Sequence, residues 1–131
     1  MTLRERQDEF IAELLLFDNW TDRFNYLIAL SEELPAECPE YLLKRRIAFC
    51  QSKTCFSAQI HEGKLYINGW SNSAVTGGII VAIKKIFNGL HCAEFENNDF
   101  DFHTKSGLID NLTPLRRAAV EEMICRITVL Y

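Results

Sequence analysis

At 131 residues, with 48% hydrophobic and 24% charged side chains, the chain fits one domain (1–131) that buries a core without metal or disulfide staples. A net charge of -4 argues against nucleic acid as a partner, because phosphate binding draws on a basic surface. The longest apolar run, residues 77–83, ends at Lys84 and Lys85 and is too short to span a membrane.

The first ten residues mix acids and bases, unlike a signal or transit peptide, which places the chain in the cytoplasm. Thr2 and Glu5 match a capping box, so a helix starts there. Phe10, Ile11, Leu14 and Leu15 form its apolar face, and the pattern fades near residues 17–19. A second helix is expected over residues 20–34, with Trp20, Phe24, Leu27, Ile28 and Leu34 on one side and Pro35 at its end. The two helices read as an antiparallel hairpin.

Residues 35–46 hold two prolines and pass from acidic to basic, which reads as an irregular connection. Two β-prone runs follow, residues 53–60 and 64–70, joined through Gly63 as a β-hairpin. The next helix is capped by Ser71 or Ser73 and stopped by Gly89. Gly77 and Gly78 inside it each cost about 1 kcal/mol against alanine, which implies close packing of another backbone, expected to be the sheet. Residues 91–111 read as a loop with a short helix. A final helix has Thr113 as N-cap, Pro114 at its first position and apolar spacing beyond. The order gives an α+β domain: a small antiparallel sheet, a β-hairpin with room for one further strand, covered by helices.

The five cysteines are odd in number and scattered, a pattern that suits reduced thiols better than a disulfide framework. Cys50 stands out. Lys44, Arg45 and Arg46 precede it and Lys53 follows it, and cations favour thiolate over thiol. Gln51 and Ser52 are polar where a buried strand prefers apolar residues. The same cysteine also reads as a small core residue, and local composition leaves both readings open. Cys55, inside the first strand beside Phe56, and Cys125, on the last helix, read as packed; His61 and His103 read as solvated. His91 beside Cys92 is a lone pair, and no Cys-x-x-Cys exists to nucleate a metal site.

Four segments in order resemble the SufE family, the sulfur acceptors of cysteine desulfurases. Residues 19–35 are similar to its Asn-Trp, Leu/Ile and Leu-Pro pattern, and Cys50-Gln51-Ser52 to its Cys-Gln-Ser. Gly69, Ser71, Ala74 and Gly78 fall in register with its glycine-serine stretch, and residues 112–124 match Leu-Thr-Pro-x-Arg through Met-Ile, with Arg116 and Met123 in place. The resemblance implies a SufE/IscU-like fold and a sulfur-transfer accessory protein rather than an independent enzyme. Cys50 would take persulfide sulfur from a PLP-dependent cysteine desulfurase and relay it to an iron-sulfur scaffold or another sulfur-using pathway. The chain itself would need no cofactor and no metal. Gln51, Ser52 and Lys53 would support the loop, and Arg45, Arg46 and Arg116 would dock the partner or brace the loop. Phe49 stands where the family has glycine, so the approach to the cysteine is bulkier here. The alternatives are a non-catalytic desulfurase-binding paralogue and a metal or iron-sulfur scaffold of IscU-like fold.

Overall fold

The computed structural model describes residues 1–48, 52–95 and 100–130. Phe49, Cys50 and Gln51 therefore lie outside the described residues. The described elements are α1 (Leu3–Leu15), α2 (Trp20–Leu30), β1 (Thr54–His61), β2 (Lys64–Ser71), α3 (Ala74–Phe87), α4 (Phe102–Lys105) and α5 (Pro114–Thr128). Short 3₁₀ turns at Ser31–Glu33, Glu40–Arg45, Cys92–Glu94 and Ile109–Asn111 link them.

The expected helix starts hold. Thr2 Oγ1 accepts from the Glu5 N–H, and Glu5 reaches back to the Thr2 N–H. Asn19, Ser73 and Thr113 cap α2, α3 and α5, so of the two serines it is Ser73 that starts α3. The second helical segment is shorter than expected, giving way at Ser31 to a 3₁₀ turn.

Strands β1 and β2 pair antiparallel from Thr54–Ser71 to His61–Lys64. Glu62 and Gly63 turn the chain at φ of 50° and 77°, both left-handed, the combination a two-residue hairpin turn needs. Among the described residues the sheet has two strands; in place of a third, single bridges flank it, Arg46–Cys55 on one edge and Lys64–His91 on the other.

Helix α3 is the spine. Ten of its residues are buried, and it packs on β2, α1 and α2. A Cβ on Gly78 would collide with the carbonyl of Leu27, so the close neighbour is the backbone of α2 and not the sheet. The glycine permits helix axes to approach as no side chain would. The apolar arcs are narrower than their sequence patterns: Leu15 and Ile28 are exposed, while Phe10, Leu14 and Leu27 are buried. Contact between α1 and α2 includes the Tyr26 hydroxyl donating to Glu13 at 2.7 Å.

The N-terminal helix is tied to the chain ahead of α4. Arg4 clasps Asp101 with two bonds of 2.8 Å, and buried Gln7 accepts from the N–H groups of Asp101 and Phe102. The Arg4 hydrogen bond, with help from Lys105, holds the Asp101 carboxyl below its usual range. His103 is half-buried, not solvated; burial lowers its pKa, and its Nδ1 has no hydrogen-bond partner among the described residues. Cys125 is exposed, because α5 packs through Ala119, Val120, Met123 and Ile127 instead.

This packing sets the cost of two substitutions. Gly78→Ala should destabilise the protein by about 2 kcal/mol or more, since relief requires α2 to move; chemical denaturation measures it. Asp101→Asn should cost no more than about 1 kcal/mol at neutral pH, because Arg4 stays partly open to solvent. A depressed carboxyl stabilises the fold above its unfolded pKa and loses that contribution as pH falls through the folded value. The stability gap between wild type and Asp101→Asn should therefore close in acid, which melting curves across pH would show.

Candidate functional site

The stretch holding Cys50 leaves and re-enters the described structure at a closed neck. The Ile47 N–H donates to the Thr54 carbonyl at 2.9 Å, and Arg46 pairs with Cys55 one step further out. Two residues of one antiparallel ladder thus hold the ends of residues 48–53 together.

Several groups keep that neck shut. Arg126, on α5, donates through Nη1 to the carbonyls of Arg45 (2.8 Å) and Phe56 (2.7 Å), and through Nη2 to that of Arg46 (3.3 Å). Its Nε is engaged by Glu122 at 3.1 Å, one turn earlier, which fixes the guanidinium plane. One planar cation therefore bridges the strand leaving the neck and the chain entering it. On the returning side, the Lys53 carbonyl accepts from the Asn72 N–H at 3.1 Å. Thr54 and Ser71 share a buried hydroxyl hydrogen bond of 2.8 Å, and Ser71 also accepts from the Ser73 N–H. The start of α3 and the end of the loop are consequently fastened to the same two side chains.

The sequence-nominated residues fall around this neck unequally. Arg45 and Arg46 contribute their carbonyls to it while their side chains stay exposed. Ser52 and Lys53 are half-buried on the returning arm, with the Lys53 ammonium 6.0 Å from the centre of the Trp70 ring. Trp70 itself donates to the Pro35 carbonyl at 2.8 Å, anchoring the proline-rich connection beneath. Arg116 sits apart in the first turn of α5; its N–H is capped by Thr113, and its side chain makes no hydrogen bond or ion pair among the described residues. At the neck itself the bracing guanidinium is that of Arg126. Sequence reading missed Arg126, whose only local signal is Glu122 four residues earlier.

Cys55 is fully buried in β1. Burial pushes its thiol pKa up, with contact from the Cys38 thiol adding to the effect, while Lys53 and Arg46 pull the other way. A thiol so placed stays protonated and out of reach, which is the inert state of a cysteine. The cations that fail to ionise it stand at the two ends of the stretch containing Cys50. Among the described residues, no three His, Cys, Asp or Glu side chains converge to hold a metal ion, and no helix is long and apolar enough to cross a membrane.

The chain matches a known family and fold. The family model of the SufE, Fe-S metabolism associated domain matches residues 8–130. The chain belongs to this family, and its association is with iron-sulfur metabolism. An uncharacterized SufE-like protein of Rhizobium meliloti (strain 1021) is 29% identical over 127 residues, covering 92% of this chain and 90% of that one. A second, from Rhizobium etli, is 25% identical over 126 residues, covering 92% and 85%. The solution structure of a hypothetical protein from Thermus thermophilus superposes with a TM-score of 0.65 at 17% identity, covering 97% of this chain and 93% of that one. This likeness establishes the shared fold.

Arg126→Met keeps the stem but leaves three carbonyls without their donor. It should destabilise the protein by about 2 kcal/mol, and amide exchange at Ile47 should quicken. Glu122→Gln, which keeps the guanidinium, should cost about 0.5 kcal/mol or less in the same denaturation assay.

Proposed function

We propose that the protein accepts sulfur from a cysteine desulfurase on Cys50 and passes it onward, in the cytoplasm, to iron-sulfur cluster assembly or another sulfur-using pathway. The observation that supports this reading is the pinned antiparallel neck of Ile47 and Thr54, between which residues 50–52, the Cys-Gln-Ser that resembles the family's, lie in sequence, while Cys55 in β1 is buried. The chemistry is thiol exchange. The Cys50 thiolate attacks the outer sulfur of the partner's cysteine persulfide, one S–S bond forms on Cys50, the partner's S–S bond breaks, and the partner's thiolate leaves with the electron pair. No net oxidation occurs and this chain supplies no cofactor; the PLP works in the desulfurase.

Thiolate fraction and access set such a rate. Arg46 and Lys53 flank the stretch at its two ends and favour the anion. Gln51 and Ser52 would support the loop, as the resemblance implies, and the Lys53 carbonyl accepts from the Asn72 N–H. The hydrogen-bonded neck supports this reading: a reacting group whose flanks are already held has less ordering to undergo on encounter. Arg116, whose guanidinium has no partner among the described residues, is available for docking the desulfurase.

Phe49 favours one second reading. With phenylalanine where relatives in the resemblance carry glycine, the chain would bind a desulfurase without taking its sulfur. Intact-mass analysis after incubation with cysteine desulfurases, PLP and cysteine separates the two. The wild type should gain one sulfur atom, reversible by a thiol reductant. Cys50→Ser should gain none while melting at nearly the same temperature. Desulfurase binding without sulfur gain would support the binder reading, and sulfur retained in Cys50→Ser would move the acceptor to another thiol.

A further inference from the structure

The two edges of the sheet are finished differently. Along β2 the outward groups nearest the turn are covered: Leu65 exchanges hydrogen bonds with Gly89 and Leu90, Cys92 donates to Gly63, and the Asn88 side chain accepts from Ile67. Along β1 the outward groups of Thr54 and Phe56 are met by Ile47 and Arg126, and there the covering stops. A strand turns alternate residues to the same edge, so Ala58 and Ile60 present their N–H and C=O outward as well. Neither has a hydrogen-bond partner on that side among the described residues.

A groove of about 420 Å³ runs beside this open edge. Lys44, Arg45 and Arg46 form one wall, residues 56–59 the floor, and Val129 and Leu130 the other wall. Those three cations are exposed, and their side chains make no ion pair among the described residues. Three unpaired cations on a chain of net charge -4 are a concentrated local field of the opposite sign. Val129, 70% exposed, adds an apolar contact.

We propose that the open edge of β1 takes an extended, acidic segment of a partner protein as an added strand, its carboxylates on Lys44, Arg45 and Arg46. Main-chain bonds to Ala58 and Ile60 supply the pairing, the basic wall selects acidic side chains, and alternate apolar side chains meet Val129. Charge decides against a second copy of this chain as occupant, since edge-to-edge pairing would bring two sets of the same cations together. The groove adjoins the neck at Arg46, so a segment bound there belongs to a protein held beside residues 48–53. The binding stands on the edge and its cations, apart from sulfur transfer.

The test uses the full chain and a fluorescently labelled synthetic peptide of alternating glutamate and valine, followed by anisotropy and by amide exchange. Saturable binding that slows exchange at Ala58 and Ile60 is expected. Methylating alternate amide nitrogens of the peptide, with its charge unchanged, should weaken binding at least about tenfold, as should the charge reversal K44E/R45E/R46E. The methylated peptide leaves the protein untouched, so the proposal stays open to refutation even if the triple variant misfolds. No saturable binding would overturn it and leave the cations as guards against edge aggregation. Equal binding of the methylated peptide, or of a single-stranded oligonucleotide of the same charge, would overturn it in favour of generic polyanion attraction.

Discussion

The hydrogen bond from the Ile47 N–H to the Thr54 carbonyl, held in place by Arg126, is the constraint on which the candidate site depends. It marks where β1 begins and fixes the separation of the chain entering and leaving residues 48–53. Because Thr54 is also bonded to Ser71, and Ser71 to the N–H of the α3 cap, the neck, the hairpin and the central helix share one polar cluster. Buried hydroxyls of this kind are costly to leave unpaired, so the cluster forms whole or not at all. The geometry of the neck is thus inherited from the core.

The core in turn depends on α3 reaching two layers at once. Its buried face meets β2, and its glycines let α2 come close enough for Gly78 to face the Leu27 carbonyl. Glycine within a helix costs intrinsic stability, and here the closer helix contact offsets it. The clasp of Arg4 and Gln7 on residues 101 and 102 ties α1 to the start of α4. The sheet and α5 are left to carry the site.

Much of this was legible in the sequence because it is local. Capping residues at Thr2, Ser73 and Thr113, the turn at Gly63 and the two strand patterns depend on neighbours within a few positions, and each element appears where its signal lies. What sequence could not provide is which surface a helix presents to which neighbour. Leu15 and Ile28 continue an apolar arc yet face outward, because two crossing helices cover only a narrow stripe. Gly78 announced a close approach but not that α2 would be the neighbour. Arg126 carries no local signal beyond Glu122 four residues earlier. Its role lies in carbonyls of residues 45, 46 and 56, far away along the chain, and no local pattern encodes that.

Cys50 and Cys55, five positions apart, differ in their surroundings. Cys55 is enclosed in β1, its thiolate disfavoured by burial, whereas Cys50 belongs to a stretch bounded by cations at a pinned neck. Thiol reactivity follows thiolate fraction and access, so the two should differ widely in rate. The most direct measurement is time-resolved alkylation of the folded protein by iodoacetamide, with each site resolved by peptide mass. Modification of Cys50 well before Cys55 is the predicted result. Equal rates, Cys55 reacting first, or a Cys50–Cys55 disulfide after mild oxidation would contradict a single acceptor thiol.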